Sequence, residues 1–164
     1  MRLFFAAWPP AQTAVALHVW AAGLAGRAVA RENIHLTLAF LGEADPAKAI
    51  AAAGRVRGVR HELPIEEGRF WKKNQIVWVG PREMPPALDS LVKSLHLELD
   101  RDAFVLDRRP FAAHVTLLRK ARDPQEMPPL PGVAWPVSEF VLVRSRISPL
   151  GSTYEPVKRF PLSE

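Results

Sequence analysis

His35-Leu36-Thr37-Leu38 returns as His114-Val115-Thr116-Leu117, 114 − 35 = 79 residues further along the chain. A four-residue echo arises by chance, so the flanks decide what it means. Ahead of the first copy stand Leu3-Phe4-Phe5-Ala6-Ala7, then Trp8-Pro9-Pro10, then a stretch with helical spacing from Ala11 to about Leu24. Ahead of the second stand Ile76-Val77-Trp78-Val79, then Gly80-Pro81, then a helical stretch from Pro86 to about Leu99. Each unit reads as strand, proline-marked turn, helix, connection and a strand bearing His-x-Thr. The repeated order, over approximate units 1–70 and 75–150, predicts an α+β fold of two pseudo-symmetric lobes. Each lobe is expected to be an antiparallel sheet with helices packed outside, and a cleft separates them. No flexible linker divides the units, so residues 1–164 are expected to form a single bilobal domain with internal duplication.

The helices rest on periodicity. Leu88, Leu91, Val92, Leu95 and Leu99 recur at steps of three and four, leaving Asp89, Lys93 and Glu98 on the wet side. Val15, Leu17, Val19, Trp20 and Leu24 give the first helix a broader apolar surface. A third helix is predicted from Pro46 to about Val56, with Asp45 as N-cap and Pro46 in the first turn. Further strands are predicted near 62–71, 75–80, 137–147 and 154–160, with Gly151-Ser152 forming a turn.

The composition is that of a soluble globular chain: of 164 residues, 48% are hydrophobic and 24% charged, which excludes a disordered tail, a collagen-like fibre and a coiled-coil rod. Absence of Cys removes disulfides, thiolate metal sites and a cysteine nucleophile. Lys and Arg exceed Asp and Glu by 22 − 17 = 5, a balance that favours anionic partners. The apolar stretch from Leu3 to Ala30 is broken by Pro9-Pro10, Gln12, His18 and Arg27, so it reads neither as a signal peptide nor as a membrane span. A cytoplasmic enzyme is expected.

On a strand, residues i and i+2 share a face about 6.5–7 Å apart. His35 and Thr37 therefore project together, as do His114 and Thr116, while Ile34, Leu36, Leu38, Val115 and Leu117 face a core. Two imidazoles converging across a cleft supply a general base and a general acid near neutral pH. The two threonine hydroxyls can donate to oxygens of a tetrahedral anion between them. A phosphate ester suits this arrangement, and a 2′,3′-cyclic phosphate suits it best, because its strained ring carries an adjacent alkoxide leaving group. No metal is required. A zinc site would need a third ligand, and His18, His61 and His96 fall on other elements, where they read as surface or capping residues.

These residues carry a resemblance. Arg2-Leu3-Phe4-Phe5-Ala6, the run Glu32-Asn33-Ile34-His35-Leu36-Thr37-Leu38-Ala39-Phe40-Leu41-Gly42, and His114-Val115-Thr116-Leu117-Leu118-Arg119 resemble the 2H phosphoesterases. Within that superfamily they are similar to the RNA 2′,3′-cyclic phosphodiesterases, also called 2′-5′ RNA ligases of the LigT/ThpR type. Gly151-Ser152-Thr153-Tyr154 is a weaker echo of the same pattern. The resemblance implies hydrolysis of a terminal 2′,3′-cyclic phosphate to a 2′-phosphate, without cofactor or metal. It assigns His35 as proton donor to the departing O3′, His114 as proton acceptor from water, and Thr37 and Thr116 as phosphate-holding residues.

Phe40 and Arg119 each stand five residues after a motif histidine, so they are equivalent under the repeat. Strict alternation puts both on the wrong face, and a cleft role therefore requires the strands to end or twist. Placed at the cleft mouth, the ring and the guanidinium could sandwich a nucleobase, and Arg119 could also bind phosphate. A core Phe40 and a solvated Arg119 are the plainer alternatives. Arg69, Lys72, Lys73, Arg108, Arg109, Lys120, Arg122, Arg144 and Arg146 could line an RNA path or a solvated face. Trp71 reads as a rim or core residue, or as a stacking platform. The expected partner is an RNA end or nucleotide carrying a 2′,3′-cyclic phosphate, bound by a monomer that engages no membrane. Two other functions fit the same residues: 2′-5′ RNA ligation, the same chemistry reversed, and a non-catalytic RNA- or nucleotide-binding module.

Overall fold

Alternation in β1 (Arg2–Ala7) sends Leu3, Phe5 and Ala7 to one face and Phe4 and Ala6 to the other, and all five are buried. The strand is therefore covered on both sides, as its unbroken apolar run demands. The computed structural model describes residues Met1–Glu164. After β1 come α1 (Ala11–Ala22), β2 (Arg27–Ala28), β3 (Leu36–Glu43), α2 (Pro46–Ala53) and β4 (His61–Glu62). Then follow β5 (Glu67–Trp71), β6 (Ile76–Gly80), α3 (Pro86–Arg101), β7 (Val115–Arg119), β8 (Pro136–Val137), β9 (Glu139–Ser148) and β10 (Gly151–Pro161). No helix is long and apolar enough to cross a membrane.

Two four-stranded antiparallel sheets result, ordered β10-β9-β1-β3 and β2-β7-β6-β5, with β4 and β8 as a separate pair. The fold is α+β, as the element pattern predicts. The His-x-Thr strands β3 and β7 contact one another where the sheets meet. The approximate units 1–70 and 75–150 do not coincide with the sheets. β5, in the first unit, pairs with β6 of the second, while β9 and β10 extend the sheet built on β1. A strand pair alone is marginal in water, and each unit gains a neighbour from beyond its boundary.

The helices are exchanged as well. α1 packs on β7, and α3 packs on β3 and α2, so each unit's helix reaches the other unit's sheet. One apolar cluster accordingly runs through both sheets and all three helices, from Leu3 and Leu17 to Ala52, Leu95 and Leu117. On α3 the buried residues are Leu88, Leu91, Val92, Leu95, Glu98 and Leu99. Leu88, Leu91, Val92, Leu95 and Leu99 are the apolar face read from the spacing, and Glu98, expected on the wet side, is buried because Arg55 and Arg101 neutralise it. On α1 the buried face is Thr13, Ala14, Leu17, Trp20 and Ala21, while Val15 and Val19 are exposed. Thr13 and Trp20 set that orientation by donating to the carbonyls of Ala134 and Pro128.

Several element ends differ from the sequence-based expectation. α1 stops at Ala22 and α2 at Ala53, each directly before a glycine that closes the helix. α3 continues to Arg101. Asp45 does cap α2, accepting from the Ala47 amide at 2.9 Å. The stretch 62–71 divides into β4 and β5 around Pro64, which has no amide hydrogen for a ladder. The last hairpin turns at Pro149-Leu150, and Gly151 opens β10 with a φ of 117°, a conformation few side chains tolerate.

Gly80 ends β6 where the backbone before His114 passes closest: a Cβ there would lie 2.5 Å from the Ala113 oxygen. Gly80→Ala must therefore displace the segment that carries the second histidine. Urea unfolding should show a loss of about 1–3 kcal/mol, and wild-type stability would contradict the close packing described.

Candidate active site

Each motif histidine sits one residue ahead of its strand, and each is held in the same way. His35 Nδ1 donates to the Asn33 carbonyl at 2.7 Å, and His114 Nδ1 donates to the Ala112 carbonyl at 2.9 Å. A carbonyl can only accept, so both neutral rings carry their proton on Nδ1 and leave Nε2 as the free base. His35 Nε2 accepts from the Thr37 hydroxyl at 2.9 Å. One cavity of about 540 Å³ takes in His35, Thr37, His114, Thr116 and Arg119. The structure thus brings together the five residues that the repeat and the resemblance single out around one anion.

Aromatic rings wall both imidazoles. His35 lies between Trp8, stacked at a centroid distance of 4.9 Å, Phe4 at 5.1 Å and the edge-on Tyr154 at 5.3 Å. His114 packs against Trp71 at 4.7 Å and Trp78 at 6.1 Å. Trp71 is therefore a rim residue that buttresses an imidazole. Burial among these rings disfavours the charged form and lowers the pKa of His35 from 6.5 to about 4. The Asn33 carbonyl opposes that shift, and the charges of Arg119 and His114 add to it. Burial also lowers the His114 pKa, with Arg119 contributing in the same direction and the Ala112 carbonyl opposing it.

Phe40 and Arg119 reach the cleft face through matched β-bulges. Against β1, Phe5 is opposite Ala39 and Ala6 is opposite Thr37, so Leu38 is the extra residue. Against β6, Val77 is opposite Leu118 and Trp78 is opposite Thr116, so Leu117 is the extra residue. A bulge breaks the two-residue alternation. Leu38 and Ala39 are both buried, as are Leu117 and Leu118, and the next residue in each strand, Phe40 or Arg119, emerges on the threonine side. The strands neither end nor merely twist before these positions.

The bulged carbonyls find partners outside the ladder. His96 Nε2 donates to Leu38 O at 2.9 Å, and the Val29 amide donates to Leu117 O at 2.9 Å. His18 Nδ1 in turn donates to Val29 O at 3.2 Å, and His61 Nδ1 donates to Val59 O at 2.8 Å. These three histidines are partly exposed, and each braces a backbone carbonyl rather than capping a helix.

Phe40 is half exposed and lies beneath the Arg2 guanidinium, 5.3 Å from its centroid. It lines a second cavity of about 350 Å³ that adjoins the first through Thr37, Asn74 and His114. Of the other basic residues considered, Lys120 lines the larger cavity and Arg109 the smaller one. Arg69, Arg109 and Arg146 are paired with Glu67, Asp107 and Glu155. Sequence reasoning missed Trp8, Asn33, Asn74 and Arg27, all near the imidazoles or lining the larger cavity. It quoted Tyr154 without assigning it a place. The signal for Trp8 was its position one residue after β1, and for Tyr154 the echo it terminates.

An α+β fold that offers one His-x-Thr from each of two sheets to a common cavity defines a class of proteins, and comparison with known proteins places the chain within it. Residues 8–78 match the family described as LigT like Phosphoesterase. The RNA 2′,3′-cyclic phosphodiesterase of Escherichia coli (strain K12) is 38% identical over 99% of this chain and 97% of its own length. The enzyme of the same name from Thermus thermophilus is 32% identical over 99% of this chain and 90% of its own. The crystal structure of E. coli LigT complexed with 3′-AMP matches with a TM-score of 0.92 at 36% identity, covering 99% of this chain and 98% of that one. The chain belongs to the LigT-like phosphoesterases, the family of the RNA 2′,3′-cyclic phosphodiesterases.

Histidine proton NMR should show His35 titrating near pH 4 and His114 below 6.5 in the free protein. Folded His35 takes its proton only near pH 4, whereas the unfolded chain takes it near 6.5, so this group's stabilisation is complete above pH 6.5 and is lost as pH falls toward 4. His35→Gln should flatten that part of the stability curve. Inorganic phosphate should raise both midpoints, since a bound anion favours imidazolium. A His35 midpoint at 6.5 would contradict the buried environment.

Proposed function

We propose that this chain hydrolyses the 2′,3′-cyclic phosphate at the end of an RNA or nucleotide to a 2′-phosphate, using its two imidazoles as acid and base. The observation that carries the reading is the shared cavity of His35 and His114, each ring pinned through Nδ1 so that Nε2 is left unprotonated, with the Thr37 hydroxyl donating to that of His35. The names and full-length coverage of the relatives support the substrate class.

In this mechanism the His114 Nε2 takes a proton from water as its oxygen attacks phosphorus. The P–O3′ bond breaks, and Nε2–H of protonated His35 delivers a proton to O3′. The atoms balance as one water added across one P–O bond. Thr37 and Thr116 donate to the two non-bridging oxygens, Thr37 turning away from the His35 ring to do so, and Arg119 offsets the charge that develops. Burial leaves the free His35 neutral at pH 7. The arriving phosphodiester anion restores its affinity for a proton, which couples formation of the acid to the presence of substrate.

The same reading treats residues 1–164 as one bilobal domain that arose by internal duplication. The matched bulges, the shared core and the exchanged helices support it. A monomer working in the cytoplasm without metal or cofactor belongs to this reading.

Turnover of an RNA ending in a 2′,3′-cyclic phosphate should persist in excess chelator and leave the phosphate on O2′. His35→Ala or His114→Ala should lower the rate by ~10²–10⁴. Full dependence on added metal, or wild-type turnover in either variant, would overturn the mechanism.

A further inference from the structure

The larger cavity, at about 540 Å³, exceeds what the reacting phosphate requires, and part of its wall is cationic. Arg27 on β2 stands directly opposite Arg119 on β7, and both line the cavity together with Lys120. Opposite positions of an antiparallel pair hold their Cβ atoms about 4.5–5.5 Å apart, where like charges repel. Arg27, Arg119 and Lys120 make no ion pair in the fold, so no carboxylate offsets the charge that they bring to this cavity. Lys120 also holds a φ of 48°, a left-handed backbone that costs a lysine energy, and it lines the cavity from that position.

The three cations are not equivalent. Arg119 is on the same strand as Thr116, lines the cavity with both imidazoles, and its charge depresses both of them. Arg27, on the neighbouring strand, and Lys120, the residue after β7, line the same cavity, and neither is among the charges that depress the imidazoles. Across from them, Asn33 Nδ2 donates to Ser152 O at 3.0 Å and ties the tip of the β9–β10 hairpin against the His35 segment as a second wall. One cavity thus holds the two histidines, the two threonines and three cationic side chains between walls that include the β9–β10 hairpin.

We infer that Arg27 and Lys120 form a second phosphate subsite, which takes the phosphate on O5′ of the terminal nucleoside while Arg119 and the threonines hold the cyclic phosphate. This rests on the cyclic-phosphate reading above and narrows its substrate class. The preferred substrate carries a phosphate on both sides of the ribose, as the last nucleotide of an RNA does. A nucleoside 2′,3′-cyclic phosphate with a free 5′-hydroxyl leaves the two cations unsatisfied.

The test uses product-like ligands that cannot turn over. Calorimetry on the full chain compares adenosine 2′-phosphate with adenosine 2′,5′-bisphosphate. The bisphosphate should bind about tenfold tighter, the scale of one charge-assisted contact. Arg27→Gln with Lys120→Gln should bring the ratio of the two affinities close to one, and Arg27→Lys should keep most of it. Equal affinities in the wild type, or an undiminished ratio in the double variant, would overturn the subsite. The reading of the activity fails separately. If cyclic-phosphate RNA is not hydrolysed while the bisphosphate preference holds, the hydrolase reading is wrong and the subsite stands. If hydrolysis occurs without the preference, the subsite is wrong and the hydrolase reading stands.

Discussion

A single type of hydrogen bond organises the site: Nδ1–H of a histidine to the carbonyl two residues before it. It occurs at His35 and again at His114. The bond selects the tautomer, orients the ring, and leaves the unprotonated Nε2 on the side of the ring opposite that carbonyl. Without it a neutral imidazole in an aromatic pocket could carry its proton on either nitrogen, and an acid–base pair would exist for only part of the time. Burial among Trp8, Phe4 and Tyr154, or beside Trp71 and Trp78, then tunes the proton affinity that this geometry presents. The proposed proton donor, His35, is in the drier half-site, where burial keeps the imidazole neutral at pH 7.

The fold serves that geometry by interlocking its halves. Each lobe borrows a helix and at least one strand from beyond its own repeat unit. Two independent lobes would have to be positioned by their contact alone, whereas these two are positioned by one shared, close-packed core. The two bulges are part of the same design. They break the ladder at Leu38 and Leu117, and the carbonyls they release are taken up by His96 and by the Val29 amide. Histidines with no place in the chemistry thus support the strands that bear the chemistry.

Much of this was legible in the sequence, because a duplicated motif in duplicated context is a long-range signal written locally. His35, Thr37, His114 and Thr116 could be placed on one face each from the two-residue period, and the α3 face could be read from five apolar positions. What stayed hidden was whatever periodicity does not encode. The period of α1 showed an apolar surface but not its partner, and the partner turned out to be the other lobe, with Val15 and Val19 left in solvent. A bulge is one extra residue in one strand, visible only against its neighbour, so Phe40 and Arg119 looked misplaced until β1 and β6 were aligned beside them. Arg27 escaped notice because its significance is a cross-strand partner 119 − 27 = 92 residues away.

The central claim is that both Nε2 atoms address one phosphate. A crystal structure of the protein with adenosine 2′-phosphate tests it directly. The account predicts a single phosphate within hydrogen-bonding reach, about 2.6–3.2 Å, of Nε2 on both His35 and His114. A phosphate bound to one imidazole while the other ring points elsewhere would contradict it.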